Sequence, residues 1–243
     1  MRTLLAAARY ACATLSAAPA MTHKPAASAD KDVSGSGSQK PPGQAAAIAA
    51  ELVSGTADPG LDHYLRGLID PKDSANQLAS RVLEEVANQK PELLAPHIER
   101  LVSALGSDRP RVAQCGAHAL PILARVAPAK VAKHLATLQG SFGSASEIAR
   151  DGLVRTFVSL CLASVTYQKR LIEVFEHALR DADSKSLVRW VELILPALKG
   201  EPYAQARSIA EARLNEPDLP RPVAQRVAEL LGVKLRAIPS DKK

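Results

Sequence analysis

Arginine is the residue type with the clearest capacity for chemistry in this sequence, because its guanidinium binds a carboxylate or a phosphate through two parallel hydrogen bonds. Arginines outnumber lysines along the segments that we assign below to second helices, which favours such paired contacts over simple solubility. Glutamates and aspartates share these segments, so the positive field could cancel. Our candidate partner-binding residues are four of these arginines and the only tryptophan: Arg111, Arg155, Arg189, Trp190 and Arg226.

Trp190 has two alternative roles. Exposed beside Arg189, it would anchor a binding partner. Its position at the edge of an apolar stripe instead favours a role in the core, where it would fill space between Leu187, Val191 and Ile194.

The sequence contains none of the short motifs that are typical of nucleotide-binding, zinc-peptidase or serine-hydrolase sites. Its three cysteines are sparse and have no CxxC spacing, so they indicate neither a disulfide framework nor a zinc site. His97 and His134 occupy equivalent positions, but stacked helices lie roughly 10 Å apart, too far for one metal ion. We therefore predict a protein without catalytic residues, cofactor or metal.

An internal repeat indicates how the candidate residues are positioned. Residues 91–107, PELLAPHIERLVSALGS, align with residues 128–144, PAKVAKHLATLQGSFGS, at an offset of 37. In this register the two segments share their proline, their histidine, their apolar positions and the Gly-Ser at their end. Shifting by 37 once more in either direction along the chain gives the same apolar spacing in the preceding and following segments. A period of this length is typical of stacked helical units.

Apolar residues at helical spacing divide each unit into two helices. Leu94, Ile98, Leu101 and Leu105 form one stripe of a first helix, and a Gly-Ser-Asp break then leads into a second helix. With phenylalanine, tyrosine and tryptophan at only 3% of the chain, the core must consist mainly of aliphatic residues. We predict an all-α, right-handed α-α superhelix (solenoid) of about five helix pairs.

The links between paired helices resemble those of HEAT repeats. Residues 181–189, DADSKSLVR, resemble the HEAT turn in which an aspartate-containing link leads into a helix opening with Val-Arg. Residues 107–112, SDRPRV, resemble the same turn with the arginine displaced before the valine. The similarity to HEAT and armadillo repeats covers roughly residues 55–232. It implies a curved scaffold whose second helices line a concave surface that holds a partner.

The ends of the chain differ from the repeats in composition. We predict an unstructured segment over 1–44, a HEAT-like domain over 45–236 and an unstructured tail over 237–243. Residues 1–29 lack acids and are rich in alanine, serine and threonine, which is typical of a mitochondrial presequence or of an untargeted tail. We expect a cytoplasmic protein, or alternatively a mitochondrial matrix protein, and no membrane span.

The formal net charge of +6 divides between the ends and the repeats. Residues 1–44 hold five basic and two acidic residues, which leaves 26 basic and 23 acidic residues in the remainder. This small excess is weak evidence for a polyanion partner. From the resemblance to HEAT repeats and the lack of catalytic motifs, we predict a non-enzymatic scaffold or adaptor that binds a protein or peptide in its groove. The alternative is a nucleic-acid-binding repeat protein, or remotely a DNA glycosylase. A glycosylase would need several aromatic residues around its substrate, and the chain holds few.

Overall fold

The computed structural model describes residues 43–70, 72–217 and 219–235, and all regular structure in these ranges is helical. Two 3-10 turns, Pro91–Leu93 and Ala95–His97, accompany the α-helices. The α-helices are α1 Gln44–Ser54, α2 Leu61–Gly67, α3 Asp73–Gln89, α4 Ile98–Leu105, α5 Pro110–Val126, α6 Pro128–Ala132, α7 Leu135–Ser141, α8 Glu147–Ala163, α9 Val165–Asp181, α10 Ser184–Ala197, α11 Gly200–Arg213 and α12 Arg221–Leu231.

Several predictions concern residues outside these ranges. They are the predicted targeting segment 1–29 with Cys12, residues 1–42 of the segment predicted to be unstructured, and the predicted tail 237–243. The choice of compartment therefore stays a prediction. The first described helix, α1, begins at Gln44, ahead of the first predicted helix pair. In the part of the chain that the structure describes, no helix combines the length and the apolar character of a membrane span.

The second helices repeat at a constant interval. Helices α3, α5, α8, α10 and α12 begin at residues 73, 110, 147, 184 and 221, so each starts 37 residues after the one before. Each of these helices packs against the next along the chain. The spacing is the offset seen in the sequence, and it extends through five units. The prediction of an all-α solenoid of about five helix pairs is confirmed.

The repeated apolar positions form the core. Leu101, Leu138 and Phe175 occupy equivalent positions in three successive units, and each is 0% exposed. Tyr64, at the same position in the first unit, is also buried. Since each unit buries its apolar face against its neighbours, the core runs continuously through the array.

The first helices are less regular than the sequence pattern predicts. We expected one stripe from Leu94 to Leu105, but only α4 is α-helical there, and the preceding residues form the two 3-10 turns. Pro96 lacks the backbone N–H that a continuous helix would need at this point. His97 (φ −110°, ψ 19°) and His134 (φ −97°, ψ 9°) adopt nearly the same conformation at the break. The second and third units therefore share a divided first helix.

Side chains satisfy backbone carbonyls at helix ends, both within a unit and between neighbouring units. The guanidinium of Arg213 donates to the carbonyl oxygens of Leu179 at 2.9 Å and Ala182 at 3.0 Å, at the end of α9. Asn76 donates from Nδ2 to Gly67 O and Leu68 O at the end of α2, and Arg109 donates to Asn76 Oδ1. Because the last carbonyls of a helix have no partner within the helix, these bonds tie helix ends together.

Asp183 caps α10 and should make stability depend on pH. Its carboxylate accepts a hydrogen bond from the backbone N–H of Ser186 at 2.7 Å, and this bond is the main reason that the pKa of Asp183 is lowered from its ordinary value of 3.8. A lowered pKa means that the stabilisation is present above the unfolded value and is lost as the pH falls through the folded value. We expect Asp183→Ala to cost about 1 kcal/mol at pH 7 and less at pH 3, as measured by urea unfolding. Asp183→Asn is the control, since it keeps a capping oxygen without the charge. A penalty for Asp183→Ala that is equal at both pH values would contradict this prediction.

Candidate partner-binding surface

The exposed side chains of α3, α5, α8, α10 and α12 form what we call the second-helix surface. An open cavity of about 410 Å³ lies on it between α5, α8 and α10. Its lining includes His118 and Ala117 of α5, Ile148 and Asp151 of α8, Arg155 one turn further along α8, and Arg189 of α10. Two of the five predicted partner-binding residues, Arg155 and Arg189, therefore meet at one cavity.

Asp151 brings these two arginines together. Arg155 Nε lies 2.9 Å from Asp151 Oδ2, and Arg189 Nε lies 2.8 Å from Asp151 Oδ1. The indole Nε1 of Trp190 donates a hydrogen bond to Oδ1 at 3.2 Å. The Asp151 side chain is only 16% exposed, so its charge is compensated by groups from two neighbouring second helices.

The other two candidate arginines lie elsewhere on the second-helix surface, and each is also paired with an acid. Arg111 Nη2 of α5 lies 2.5 Å from Glu84 Oε2 of α3, in a pair that is largely buried. Arg226 of α12 lies 3.7 Å from Glu192 of α10 and 3.4 Å from Glu229, and all three side chains are more than half exposed. Exposed pairs at such distances add little stability. Arg111, Arg189 and Arg226 nevertheless all link one second helix to the preceding one.

Trp190 is part of the core. It is 3% exposed, and its ring lies 6.2 Å from that of Phe142, centroid to centroid. Trp190 therefore has the core position that its place at the edge of the apolar stripe favoured, and it is not an exposed anchor. The ring of Trp190 is connected to the second-helix surface by the hydrogen bond that its Nε1 donates to Asp151.

The described cysteines are buried and poorly suited to thiolate chemistry. Burial raises the pKa of Cys115 to about 12, with Glu84 acting in the same direction, and burial also raises the pKa of Cys161 to about 12. Both thiols are neutral near pH 7 and pack as small apolar groups. Among residues 43–70, 72–217 and 219–235, no cluster of three or more His, Cys, Asp or Glu side chains could hold a metal ion.

Asp151 is the central residue of the site, although in the sequence it is only one of several acids that share the second helices with the arginines. Two signals pointed to it. Asp151 stands four residues before Arg155, the spacing at which side chains meet on a helix, and about one repeat before Arg189. The spacing of about one repeat between Asp151 and Arg189 predicts a contact only once the stacking of α8 on α10 is known, because the two residues lie on different helices.

Removing the Asp151 carboxylate should destabilise the fold. In Asp151→Ala, two arginines would face each other without a counterion, and the buried Trp190 N–H would lose its acceptor. We expect the free energy of unfolding to fall by about 2 kcal/mol, the scale of hydrogen bonds to charged groups. Urea denaturation followed by tryptophan fluorescence would measure it. As a matched control, Asp62→Ala removes an exposed acid 3.9 Å from Arg100 and should cost less than about 1 kcal/mol. Equal losses in the two variants would contradict the central role of Asp151.

Comparison with known proteins bears on the fold alone. No protein-family model matches the sequence, and a search of curated proteins also finds no match. Among solved structures, the crystal structure of an engineered protein is 19% identical with a TM-score of 0.55, and the match covers 77% of this chain and 87% of that one.

Two designed armadillo repeat proteins are similar to the same extent. One is 19% identical with a TM-score of 0.52, and the match covers 77% of this chain and 90% of that chain. The other, solved in complex with the peptide (KR)4, is 17% identical with a TM-score of 0.55, covering 78% and 87% of the two chains. The resemblance to HEAT and armadillo repeats is thereby confirmed at the level of the fold: the described residues form a helical-repeat solenoid of the armadillo and HEAT type.

Proposed function

We propose that this protein is a non-enzymatic scaffold that binds an extended peptide segment of a partner protein on its second-helix surface. The observation that carries the proposal is the pairing of all four candidate arginines with acids, three of them across neighbouring second helices. A surface of alternating, mutually compensated charges suits a polypeptide, which offers both charges and apolar side chains.

The regular spacing of the units supports the same proposal. Five second helices that start 37 residues apart place equivalent positions at repeated intervals along one surface. An extended peptide also repeats at short intervals and can be contacted unit by unit. One designed armadillo protein of similar fold was solved with a bound peptide, so the proposed mode of binding is compatible with this type of solenoid.

The nucleic-acid alternative needs a concentrated positive surface, because phosphate contacts dominate such binding. Here Arg111, Arg189 and Arg226 each lie against a carboxylate.

The remote glycosylase alternative needs a carboxylate beside exposed aromatic rings. Asp151 is instead contacted by three donors, and Trp190 is buried. These observations favour a polypeptide partner.

Selection from a random peptide library displayed on phage, with the full chain as bait, would test the proposal. Enriched peptides would be synthesised and their affinities measured by fluorescence anisotropy. Gln114→Trp would fill the cavity from its α5 wall, since Gln114 is exposed and lines it. Lys169→Trp is the control, because it places the same bulk at an exposed position of α9, a first helix. We expect Gln114→Trp to weaken peptide binding at least tenfold and Lys169→Trp to leave it unchanged.

Labelled duplex DNA and single-stranded RNA form the second arm of the experiment. We expect neither to bind at near-physiological salt. Nucleic-acid binding that survives this salt concentration, combined with no enriched peptide, would overturn the proposal and establish the alternative. Enriched peptides that bind both tryptophan variants equally well would show that the second-helix surface is not the binding site.

A further inference from the structure

We infer that the cavity beside Asp151 binds a carboxylate side chain, an aspartate or glutamate of the partner peptide. This inference rests on the proposed function and adds to it the charge of one ligand group. It also assigns the binding role to two residues, Arg155 and Arg189, that act together through Asp151.

Both arginines contact Asp151 through Nε. Within the described part of the chain, the Nη groups of Arg155 and Arg189 donate no hydrogen bond. These side chains are 51% and 41% exposed, so their Nη groups can donate to a ligand while Asp151 stays in place. The two guanidinium groups and Asp151 together carry a net charge of +1, which Glu147 in the same lining offsets, so the directed Nη donors and not a net charge would bind the ligand.

The two guanidinium groups are positioned by a buried support. Both lie within ion-pair distance of Asp151, and the buried indole of Trp190 donates a hydrogen bond to Asp151. Trp190 is packed against Phe142, so this support extends into the core. An arginine fixed in advance loses less conformational entropy on binding than a free one, which makes a prepositioned pair a better anion site than separate surface arginines.

The cavity lining favours one type of anion. Glu147 also lines the cavity and brings a negative charge near the arginines, while Ala117 and the half-exposed Ile148 provide an apolar wall. A singly charged carboxylate on an aliphatic stem suits this combination of two arginines, two acids (Asp151 and Glu147) and an apolar wall. Because the two positive and two negative side chains sum to zero net charge, the cavity offers no excess positive charge for the second negative charge of a phosphate dianion. We therefore assign a carboxylate and not a phosphate.

Peptides enriched on the full chain provide the probe for a double-mutant cycle. We expect a recurring aspartate or glutamate among them. Changing that residue to asparagine or glutamine should weaken binding to the wild-type protein about tenfold, and Arg155→Gln and Arg189→Gln should each weaken binding of the acidic peptide to a similar degree. Against either arginine variant, the acidic and amide peptides should bind about equally. Each single variant keeps one arginine on Asp151, and circular dichroism would verify its fold.

Arg100→Gln is the matched control, because Arg100 lies on α4, a first helix, and pairs weakly with Asp62. It should preserve the full difference between the acidic and amide peptides. If peptides are enriched but bind alike with acid and amide, or if the difference persists in both arginine variants, the inference is overturned while the proposed function stands. A phosphoserine peptide that binds more tightly than the acidic one would overturn the choice of a carboxylate. If no peptide is enriched, the proposed function and this inference fail together.

Discussion

Replacing Gly152 with alanine is expected to lower the free energy of unfolding by about 3 kcal/mol, because α5 and α8 approach each other too closely at this point for an added methyl group. A Cβ atom at Gly152 would lie 2.5 Å from the Cα atom of Ala117 and 3.1 Å from its carbonyl oxygen. These are backbone atoms of α5, so no rotation of a flexible side chain can relieve the overlap. The helices would have to move apart, and the core between them would lose contacts.

Gly140→Ala is the matched control for this prediction. Gly140 also lies in a helix, α7, and a Cβ atom there would meet no other atom within 4 Å. The same substitution should stabilise the protein by about 0.5–1 kcal/mol, because alanine loses less backbone entropy than glycine in a helix. Urea unfolding of the two variants should therefore give shifts of opposite sign. A Gly152→Ala protein as stable as the wild type would contradict the close contact between α5 and α8.

The same substitution should also affect binding. Helices α5 and α8 carry most of the residues that line the cavity, so a change in their separation would displace Ala117 and His118 relative to Asp151. We expect peptides that require the cavity to bind more weakly to Gly152→Ala than to Gly140→Ala. The comparison requires a temperature at which both variants are folded.

Replacing Phe157 with alanine is the second substitution with a large expected effect. Phe157 of α8 is 0% exposed and contacts Phe175 of α9 edge to face, with ring centroids 6.4 Å apart and an interplanar angle of 77°. Removing the ring deletes its burial, this aromatic contact and the packing around it, and it leaves a cavity in the third unit. We expect a loss of about 4 kcal/mol, a large share of the roughly 5–15 kcal/mol that stabilises a typical domain.

Phe157→Leu separates the loss of volume from the loss of the aromatic contact. It keeps most of the apolar bulk and should cost less than about 1.5 kcal/mol. Trp190 is the only tryptophan in the chain and is buried in the adjacent unit, so its fluorescence reports unfolding near the substitution. Circular dichroism reports all helices together. A loss below about 1 kcal/mol for Phe157→Ala would show that this ring does not support the stacking of α8 on α9.

Sequence patterns predicted most of the helical architecture. The offset of 37 between residues 91–107 and 128–144 agrees with the interval at which α3, α5, α8, α10 and α12 begin. The aspartate-containing link before α10 was also recognised, and Asp183 is its N-cap. The sequence pattern did not predict the interruption of the first helices at His97 and His134. Apolar spacing is the same for one continuous helix and for two consecutive helical segments that both bury their apolar side chains.

The repeated units and their helical class follow from the order of residues alone, because apolar residues that recur at helical spacing every 37 positions can be buried only if successive helix pairs stack. Three features depend on how the helices stack: Trp190 lies in the core, Asp151 pairs with Arg155 and Arg189 at a cavity, and Gly152 lies against Ala117. The Trp190–Asp151 bond joins residues 39 positions apart, and the Gly152–Ala117 contact also joins different units. Such contacts depend on the separation and stagger of neighbouring helices to within about an ångström, and residue types along a single helix do not encode these distances.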